Sequence, residues 1–270
     1  NRGIQVAAGN YVAFFETDMI ADRSWLAEMV KFFQTHPRVG AAHSRVFDLK
    51  RKKHIQADGM LLIPHTGWVV MRNYGRTVSQ ADGSISPCLI GSVGTFVRRS
   101  LLKQIGGFDE KIGHKVDDLD LGWRLWLTGY QTVSLPSAIT YHWGAKPNSA
   151  RPISSLKSEI YFHRMPRVFI KNYEARNVFK YLPWLISLNL IRSLKHALSG
   201  NLLPLRAFLT SLVWTLSTLP DTLNQRRAIQ RNRKISDSFL MKKIMIPGNF
   251  FHIWNRYVLN THKIAETIFS

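Results

Sequence analysis

The chain has 270 residues, 45% of them hydrophobic, and Cys88 is its one cysteine. This composition excludes a disordered or collagen-like chain, an internal disulfide and a thiolate zinc centre. The 37 Lys and Arg residues against 17 Asp and Glu give a formal net charge of +20, which predicts an anionic partner: phospholipid, a phosphate-bearing substrate or nucleic acid.

The charge is divided unevenly along the chain. Residues 1–150 contain 18 Lys and Arg against 12 Asp and Glu, whereas residues 151–270 contain 19 against 5. A Pro- and Ser-containing stretch at residues 146–152 is typical of a linker. We therefore expect a first domain over 1–150 and a basic helical extension over 151–270. Because the chain begins at Asn1 and shows no signal-peptide pattern, we expect it to be an N-terminally truncated piece of a longer protein.

Strand-like and helix-like segments alternate in the first part, which is typical of an α/β layered sheet. Residues 48–86 have no clear period, so we expect hairpins and a mobile substrate loop there. The predicted strands are 11–15, 39–46, 94–97 and 132–142, and the predicted helices are 24–33, 100–105 and 119–127.

Two apolar segments in the second part, 182–198 and 202–219, contain cations, including Arg192 and Arg206. A spanning helix needs about 20 apolar residues with few charges, so we expect both segments to lie in a membrane interface. A basic cluster follows that would bind anionic headgroups. Its members are Arg226, Arg227, Arg231, Arg233 and Lys234.

Three groups of side chains could carry chemistry. Glu16 and Asp18 directly follow the first predicted strand, where open α/β sheets bind ligands, and two such carboxylates could hold a divalent cation together with a diphosphate. The alternative is a solvated turn that caps the next helix. His142 ends the last predicted strand and is either a metal ligand or a hydrogen-bonded structural residue.

The third group is Asp117, Asp118 and Asp120, at the start of a predicted helix. Carboxylates this close raise one another's pKa, which suits a general base. The alternative is a helix N-terminus in which acidic residues complement the dipole and Asp120 pairs with Arg124. The sequence contains no P-loop, no nucleophile elbow and no dinucleotide-binding glycine motif after a strand. It therefore lacks the motifs for P-loop phosphoryl transfer, serine hydrolysis and dinucleotide-dependent oxidation.

Taken together, the order of these groups resembles the family 2 glycosyltransferases of the GT-A fold, and more narrowly the rhamnosyltransferase-like members that act on lipid-linked glycans. The resemblance covers residues 1–145. The segments that carry it are Ala8-Gly9-Asn10-Tyr11-Val12, Glu16-Thr17-Asp18, Trp25-Leu26, Pro37-Arg38-Val39-Gly40, Gly91-Ser92-Val93-Gly94, Ile105-Gly106-Gly107-Phe108-Asp109-Glu110, Asp117-Asp118-Leu119-Asp120-Leu121-Gly122-Trp123-Arg124, Gly129-Tyr130, Pro136-Ser137-Ala138 and Tyr141-His142.

The resemblance implies a GT-A (Rossmann-like) mixed sheet with helices on both faces, followed by an α-helical, membrane-associating extension. It also implies a nucleoside-binding segment that would precede Asn1. Asp18 would be the metal ligand of the family's DxD motif, with Glu16 at its first position, and His142 would complete the site. The cofactor would be a divalent cation, Mg²⁺ or Mn²⁺.

The resemblance further implies that Asp118 is the general base, with Asp117 in place of the family's usual Glu. Gly91 and Ser92 would line the acceptor side of the cleft. Two further substrate-binding residues would be Asp120 and Arg124, the latter also anchoring the helix of the base.

We therefore predict an inverting, metal-dependent glycosyltransferase of cell-surface polysaccharide synthesis. Its partners would be a nucleoside-diphosphate sugar, with dTDP-rhamnose as the first candidate, a glycan or polyprenyl-diphosphate-linked acceptor, and an anionic membrane surface, but no nucleic acid. It would work at the cytoplasmic face of the inner membrane. The alternative is a non-catalytic basic protein that docks on membranes or nucleic acid, which would leave the carboxylate groups unexplained.

Overall fold

A computed structural model describes residues 1–51, 53–91, 94–113, 116–143 and 163–246. The strands in chain order are β1 (Tyr11–Phe14), β2 (Met19–Ala21), β3 (Val39–Asp48), β4 (Ile55–Ala57), β5 (Met60–Leu62), β6 (Val69–Met71), β7 (Ser86–Pro87), β8 (Thr95–Arg98) and β9 (Gln131–His142). The helices are α1 (Arg2–Val6), α2 (Trp25–Thr35), α3 (Arg99–Gln104), α4 (Asp117–Leu127), α5 (Met165–Asn172), α6 (Ala175–Leu198), α7 (Leu203–Ser217), α8 (Leu219–Arg231) and α9 (Asp237–Lys243), with a 3₁₀ turn at Val78–Gln80.

Seven of the described strands form one mixed sheet. Its main order is β1-β8-β3-β9-β2, with β4 paired to β3 and β7 paired to β9. The long central strands β3 and β9 run parallel, and the other pairs of this sheet are antiparallel. β5 and β6 form a separate hairpin. The predicted mixed α/β sheet is confirmed.

Helices cover both faces of this sheet, as predicted. Side chains alternate between the faces of a strand, so neighbouring residues enter different clusters. Ala42 and Phe96 pack in the cluster that contains the apolar residues of α2. Ala41 and Val97 pack in the cluster that contains leucines of α3 and α4.

A third hydrophobic cluster joins the two parts of the chain. It combines Trp123 of α4 with Phe169 of α5, Tyr173 beyond it, and Leu240 of α9, all almost fully buried. The predicted linker at 146–152 lies outside the described residues, and the division at residue 150 stays a prediction. In the described ranges, however, the helices after residue 163 share their core with α4.

The structure forms the predicted helices and strands within a few residues. The stretch 48–86 contains short hairpin strands, as expected. The sequence did not predict β2, whose three residues are ordered by pairing with the distant end of β9. Segment 182–198 lies within α6, and segment 202–219 is mostly α7. Among the described helices, none has the length and apolarity required to cross a bilayer.

Candidate active site

The first candidate group lies where β2 pairs with β9. After β1 the chain turns through Glu16 and Asp18, and the Met19 amide donates to the Glu16 carbonyl at 3.2 Å. β2 then pairs antiparallel with the end of β9, with Met19 opposite His142. The Trp143 amide donates to the Asp18 carbonyl at 2.9 Å and closes the pairing. This register places Asp18 beside His142.

Glu16, Asp18 and His142 form what we call the rim triad. His142 Nε2 lies 3.3 Å from Asp18 Oδ1 and 3.6 Å from Glu16 Oε2. One potential ligand atom from each residue lies within 4.8 Å of the other two. The side chains are 45%, 40% and 19% exposed for Asp18, Glu16 and His142, so the group opens to solvent. The predicted metal ligands are therefore brought together.

Gln56 fixes the orientation of the imidazole in the rim triad. Its Oε1 lies 2.8 Å from His142 Nδ1. An amide oxygen only accepts, so in this arrangement Nδ1 carries a proton and Nε2 faces the two carboxylates. Metal-binding histidines typically make such a hydrogen bond through the ring nitrogen that does not contact the metal. Sequence reasoning missed Gln56, which lies in a stretch without periodicity.

The rim triad fits a divalent cation on the chemistry of its donors. Two carboxylate oxygens and an imidazole nitrogen that converge on one point can together coordinate a positive ion placed between them. Carboxylates suit Mg²⁺ and Mn²⁺, and imidazole is a common ligand of transition metals. These three residues are the ones that could hold the predicted metal.

The second group lies at the N-terminus of α4. Asp117 and Asp118 open the helix and are both half-buried. Asp118 Oδ1 accepts a hydrogen bond from the Leu119 amide at 2.7 Å. The carboxylate thus lies at the positive end of the helix dipole.

Gly91 lies close both to Asp118 and to side chains in the interior of the sheet. A Cβ placed on Gly91 would lie 3.7 Å from Asp118 Oδ2 and 3.5 Å from His43 Nε2. Gly94, three residues on, has a φ of +64° and would bring a Cβ to 3.0 Å from Thr140 Oγ1, two residues before His142 on β9. The predicted glycine is therefore next to the predicted base. Ser92 lies outside the described residues.

The third group, around Asp120, is buried. Asp120 is 0% exposed, and its carboxylate receives Arg124 Nε at 2.8 Å and Lys171 Nζ at 3.0 Å. Asn172 donates to the same carboxylate at 2.9 Å. Arg124 also donates to the carbonyl of Gly107 at 2.7 Å. The alternative pairing of Asp120 with Arg124 is therefore present in the structure, and the assignment of these two residues to substrate binding stays a prediction.

Asp120 belongs to a larger set that we call the interior network, which connects α4 to α5. Lys171 Nζ also lies 2.5 Å from Asp109 Oδ2, and Arg167 Nε lies 2.8 Å from the same oxygen. All of its side chains are 7% exposed or less. Its members are Asp109, Asp120, Arg124, Arg167 and Lys171.

Burial is the largest influence on the pKa of Asp109 and raises it, but hydrogen bonds and charge from Arg167 and Lys171 outweigh burial and hold this pKa below its usual range. The pKa of Asp120 also lies below its usual value. Burial raises this pKa, but the charges of Arg124 and Lys171 lower it by more than burial raises it. Both carboxylates therefore remain ionised.

The geometry defines an α/β protein with a triad of potential metal ligands at one sheet edge and a half-buried carboxylate at the start of α4. Residues 1–167 match the family described as "Glycosyltransferase like family 2". The chain belongs to this family, and the predicted GT-A type of mixed sheet agrees with the membership.

Two curated relatives, both from Mycobacterium tuberculosis, match parts of the chain. An N-acetylglucosaminyl-diphospho-decaprenol L-rhamnosyltransferase is 38% identical over 74 residues, which is 27% of this chain and 23% of that protein. A pre-mycofactocin glycosyltransferase is 27% identical over 142 residues, which is 53% of this chain and 28% of that protein. The matches thus span about a quarter of the length of each relative.

Two solved structures are distantly similar. The crystal structure of GalNAc-T7 with UDP, GalNAc and Mn²⁺ has a TM-score of 0.44 and 9% identity, over 62% of this chain and 36% of that one. The mannosyltransferase PcManGT from Pyrobaculum calidifontis, in complex with GDP-Man and Mn²⁺, has a TM-score of 0.39 and 17% identity, over 86% of this chain and 63% of that one.

Proposed function

We propose that this chain carries the catalytic centre of an inverting, metal-dependent glycosyltransferase. The substrate pair would be a nucleoside-diphosphate sugar and a glycan or polyprenyl-diphosphate-linked acceptor. The observation that carries the proposal is the rim triad, in which two carboxylates and the oriented Nε2 of an imidazole converge. Membership of the family and the position of Asp118 support it. The alternative of a non-catalytic docking protein leaves both groups without a role.

Each residue has a distinct part in the reaction. Glu16, Asp18 and His142 would hold the cation, which when bound neutralises the diphosphate leaving group. Asp118 would take the proton of an acceptor hydroxyl. That oxygen would then bond to the anomeric carbon as the bond from this carbon to the diphosphate breaks. The bonding pair leaves with the diphosphate, and the configuration inverts.

A transfer assay tests the reaction. The protein would be incubated with Mn²⁺ or Mg²⁺, with dTDP-, UDP- and GDP-sugars, and with a short-chain polyprenyl-diphosphate N-acetylglucosamine as acceptor. Asp118→Asn should lower kcat about a hundredfold or more, the usual scale for a lost general base. Glu28→Gln, a half-buried surface change on α2, is the matched control. Equal activity of the two variants would remove Asp118 from the mechanism.

The identities of the donor and the acceptor are separate, more detailed proposals. The named relative transfers L-rhamnose to a diphospho-decaprenol-linked sugar, as its name states, but it matches only part of this chain. We therefore rank dTDP-rhamnose first among the donors and expect Mn²⁺ to support the reaction at least as well as Mg²⁺, because the triad includes an imidazole. A UDP- or GDP-sugar as the best donor would overturn the ranking and leave the reaction type intact.

We also propose that α6 and α7 dock on an anionic bilayer, which would place the protein at the cytoplasmic face of the inner membrane. Leu209, Val213 and Leu216 lie on one side of α7 at helical spacing and are 51%, 67% and 62% exposed. Leu198 and Leu202, at the turn between α6 and α7, are 90% and 65% exposed. An apolar stripe with cations nearby fits the interface of a membrane.

The basic cluster predicted beside this stripe is smaller than expected. Arg226 donates to the Tyr173 carbonyl at 2.6 Å, and Arg233 donates to Asp237 at 2.9 Å, so both serve the fold. The members on the surface are Arg227, Arg231 and Lys234. These three would contribute about 1 kcal/mol each on anionic lipid.

Liposome co-sedimentation tests the docking. Binding should increase with phosphatidylglycerol content, decrease in high salt, and decrease further when Leu209, Val213 and Leu216 become Ser. The control is Val78→Ser, which changes an exposed apolar residue of the first part. If binding depends neither on lipid charge nor on the triple substitution, the proposal that this surface docks on the membrane is wrong. That result would say nothing about catalysis.

A further inference from the structure

Lys50 lies in a tight turn directly after β3, beside the end of β9 that carries His142. β3 and β9 run parallel with Asp48 opposite His142, and the Leu49 amide donates to the His142 carbonyl at 2.9 Å. The Asp48 carboxylate then accepts the backbone amides of Lys50 at 2.8 Å and Arg51 at 3.0 Å. Hydrogen bonds therefore hold this turn at the same end of the sheet as the rim triad.

The ammonium of Lys50 lies over an aromatic ring. Its Nζ is 5.0 Å from the centroid of the Trp143 ring. The indole face attracts a cation without neutralising its charge. Arg51, the neighbouring cation of the turn, is paired instead, with its Nε 3.4 Å from Asp48 Oδ2. In the ranges that the structure describes, no carboxylate lies within ion-pair distance of Lys50. Lys50 therefore keeps its charge available for a ligand.

Trp143 is a direct neighbour of two members of the rim triad. It follows His142 in the chain, and its amide donates to the Asp18 carbonyl at 2.9 Å. Consecutive Cα atoms are about 3.8 Å apart, so the residue that carries the ring is close to both potential ligands. Trp143 is 52% exposed, and Lys50 is exposed as well. A dissolved ligand can therefore reach Lys50 and the rim triad from the same solvent-exposed surface.

A diphosphate at the rim triad needs more positive charge than a divalent cation supplies. Glu16 and Asp18 contribute two carboxylates, whose charge such a cation would offset. The diphosphate brings negative charge of its own, and cationic side chains commonly balance this charge in phosphoryl-binding sites. Lys50 offers an ammonium with three N–H donors on a flexible stem, so it can move from the ring to a phosphate oxygen.

We infer that Lys50, held over Trp143 in the free protein, binds the diphosphate of a substrate at the rim triad. The inference rests on the proposed function and deepens it, because it adds a binding residue to the same site. The proposed donor contains a diphosphate, and so does a polyprenyl-diphosphate-linked acceptor. The shared chemistry is thus a diphosphate, and the experiment distinguishes the two sources.

Isothermal titration calorimetry of the whole chain with Mn²⁺ tests the contact. The two ligands are dTDP, which represents the donor, and farnesyl diphosphate, which represents the acceptor. Lys50→Gln should weaken the binding of one of them about threefold to tenfold, between the scales of an exposed ion pair and a charge-assisted hydrogen bond. Lys50→Arg keeps the charge and should recover most of the affinity. The matched control is Lys53→Gln, which removes a neighbouring exposed lysine.

Two further readouts separate binding from a structural role. Because the Lys50 and Lys53 side chains are exposed, urea unfolding should be the same for both Gln variants and the wild type. The affinity of the wild type for the diphosphate should also decrease with salt more steeply than the affinity of Lys50→Gln, since salt screens an exposed charge pair.

The outcomes of the titration do not depend on sugar transfer. A loss of dTDP affinity in Lys50→Gln assigns the contact to the donor, and a loss of farnesyl diphosphate affinity assigns it to the acceptor. Either loss supports the inference even if no sugar is transferred, in which case the proposed function alone fails. If Lys50→Gln and Lys53→Gln bind both ligands alike, the inference is wrong, whatever the transfer assay shows.

Discussion

The rim triad and the interior network both contain carboxylates, but the surroundings of these carboxylates differ. In the rim triad, two carboxylates and an imidazole nitrogen face one another, and their side chains are 19% to 45% exposed. In the interior network, Asp109 and Asp120 are nearly or fully enclosed, and cations from α4 and α5 meet their oxygens. Groups of acidic residues in this chain therefore differ in kind: one converges with an imidazole at the protein surface, and the other is enclosed with cations in the interior.

Removing a cation should damage the interior network most. Lys171→Met would leave the Asp109 and Asp120 carboxylates buried with less compensation, and breaking a buried pair this way costs about 3–5 kcal/mol. We expect the free energy of unfolding in urea to fall by that amount. Lys103→Met, an exposed change on α3, should alter it by less than about 0.5 kcal/mol. Equal effects would show that Lys171 is not essential to the interior.

The rim triad should respond in the opposite way. Asp18→Asn removes a half-exposed charge, so the free energy of unfolding should change by less than about 0.5 kcal/mol. Mn²⁺ affinity in the presence of UDP should fall by at least about tenfold, because even outer groups of metal sites contribute that much. Electron paramagnetic resonance of free Mn²⁺ measures the binding, with the exposed Asp82→Asn as control. Unchanged binding would exclude Asp18 as a ligand.

Lowering the pH should distinguish the rim triad from the interior network further, with a smaller effect on the free energy of unfolding. Because the folded-state pKa of Asp109 and of Asp120 lies below the unfolded value, both stabilise the protein fully above about pH 4, and this contribution is lost as the pH falls. The expected slope is about 1.4 kcal/mol for each pH unit and each carboxyl that stays ionised only in the folded state. Urea unfolding between pH 7 and pH 3 should show a weaker dependence in Lys171→Met, and equal slopes would contradict the assignment.

The sequence predicted the local parts of this molecule better than the distant ones. The central strands follow from apolar runs, and the Asp120–Arg124 pair follows from their spacing of four residues. The rim triad followed from a resemblance, because nothing local places His142 beside Asp18. Lys171 was not predicted, since its partner Asp109 lies 62 residues earlier and no period connects them. Gln56 was missed for the same reason: its role comes from a tertiary contact with His142 alone.

The interior network also constrains how the chain can fold during synthesis. Asp109 and Asp120 leave the ribosome well before Arg167 and Lys171, and chains grow at roughly 5–20 residues per second. During that interval Asp109 would lack both of its cations and Asp120 would be paired with Arg124 alone, so burial of the two carboxylates and docking of α4 would be less favourable. The helix that bears Asp118 should reach its full stability once α5 has emerged, so complete assembly of the candidate catalytic centre depends on the second part of the chain.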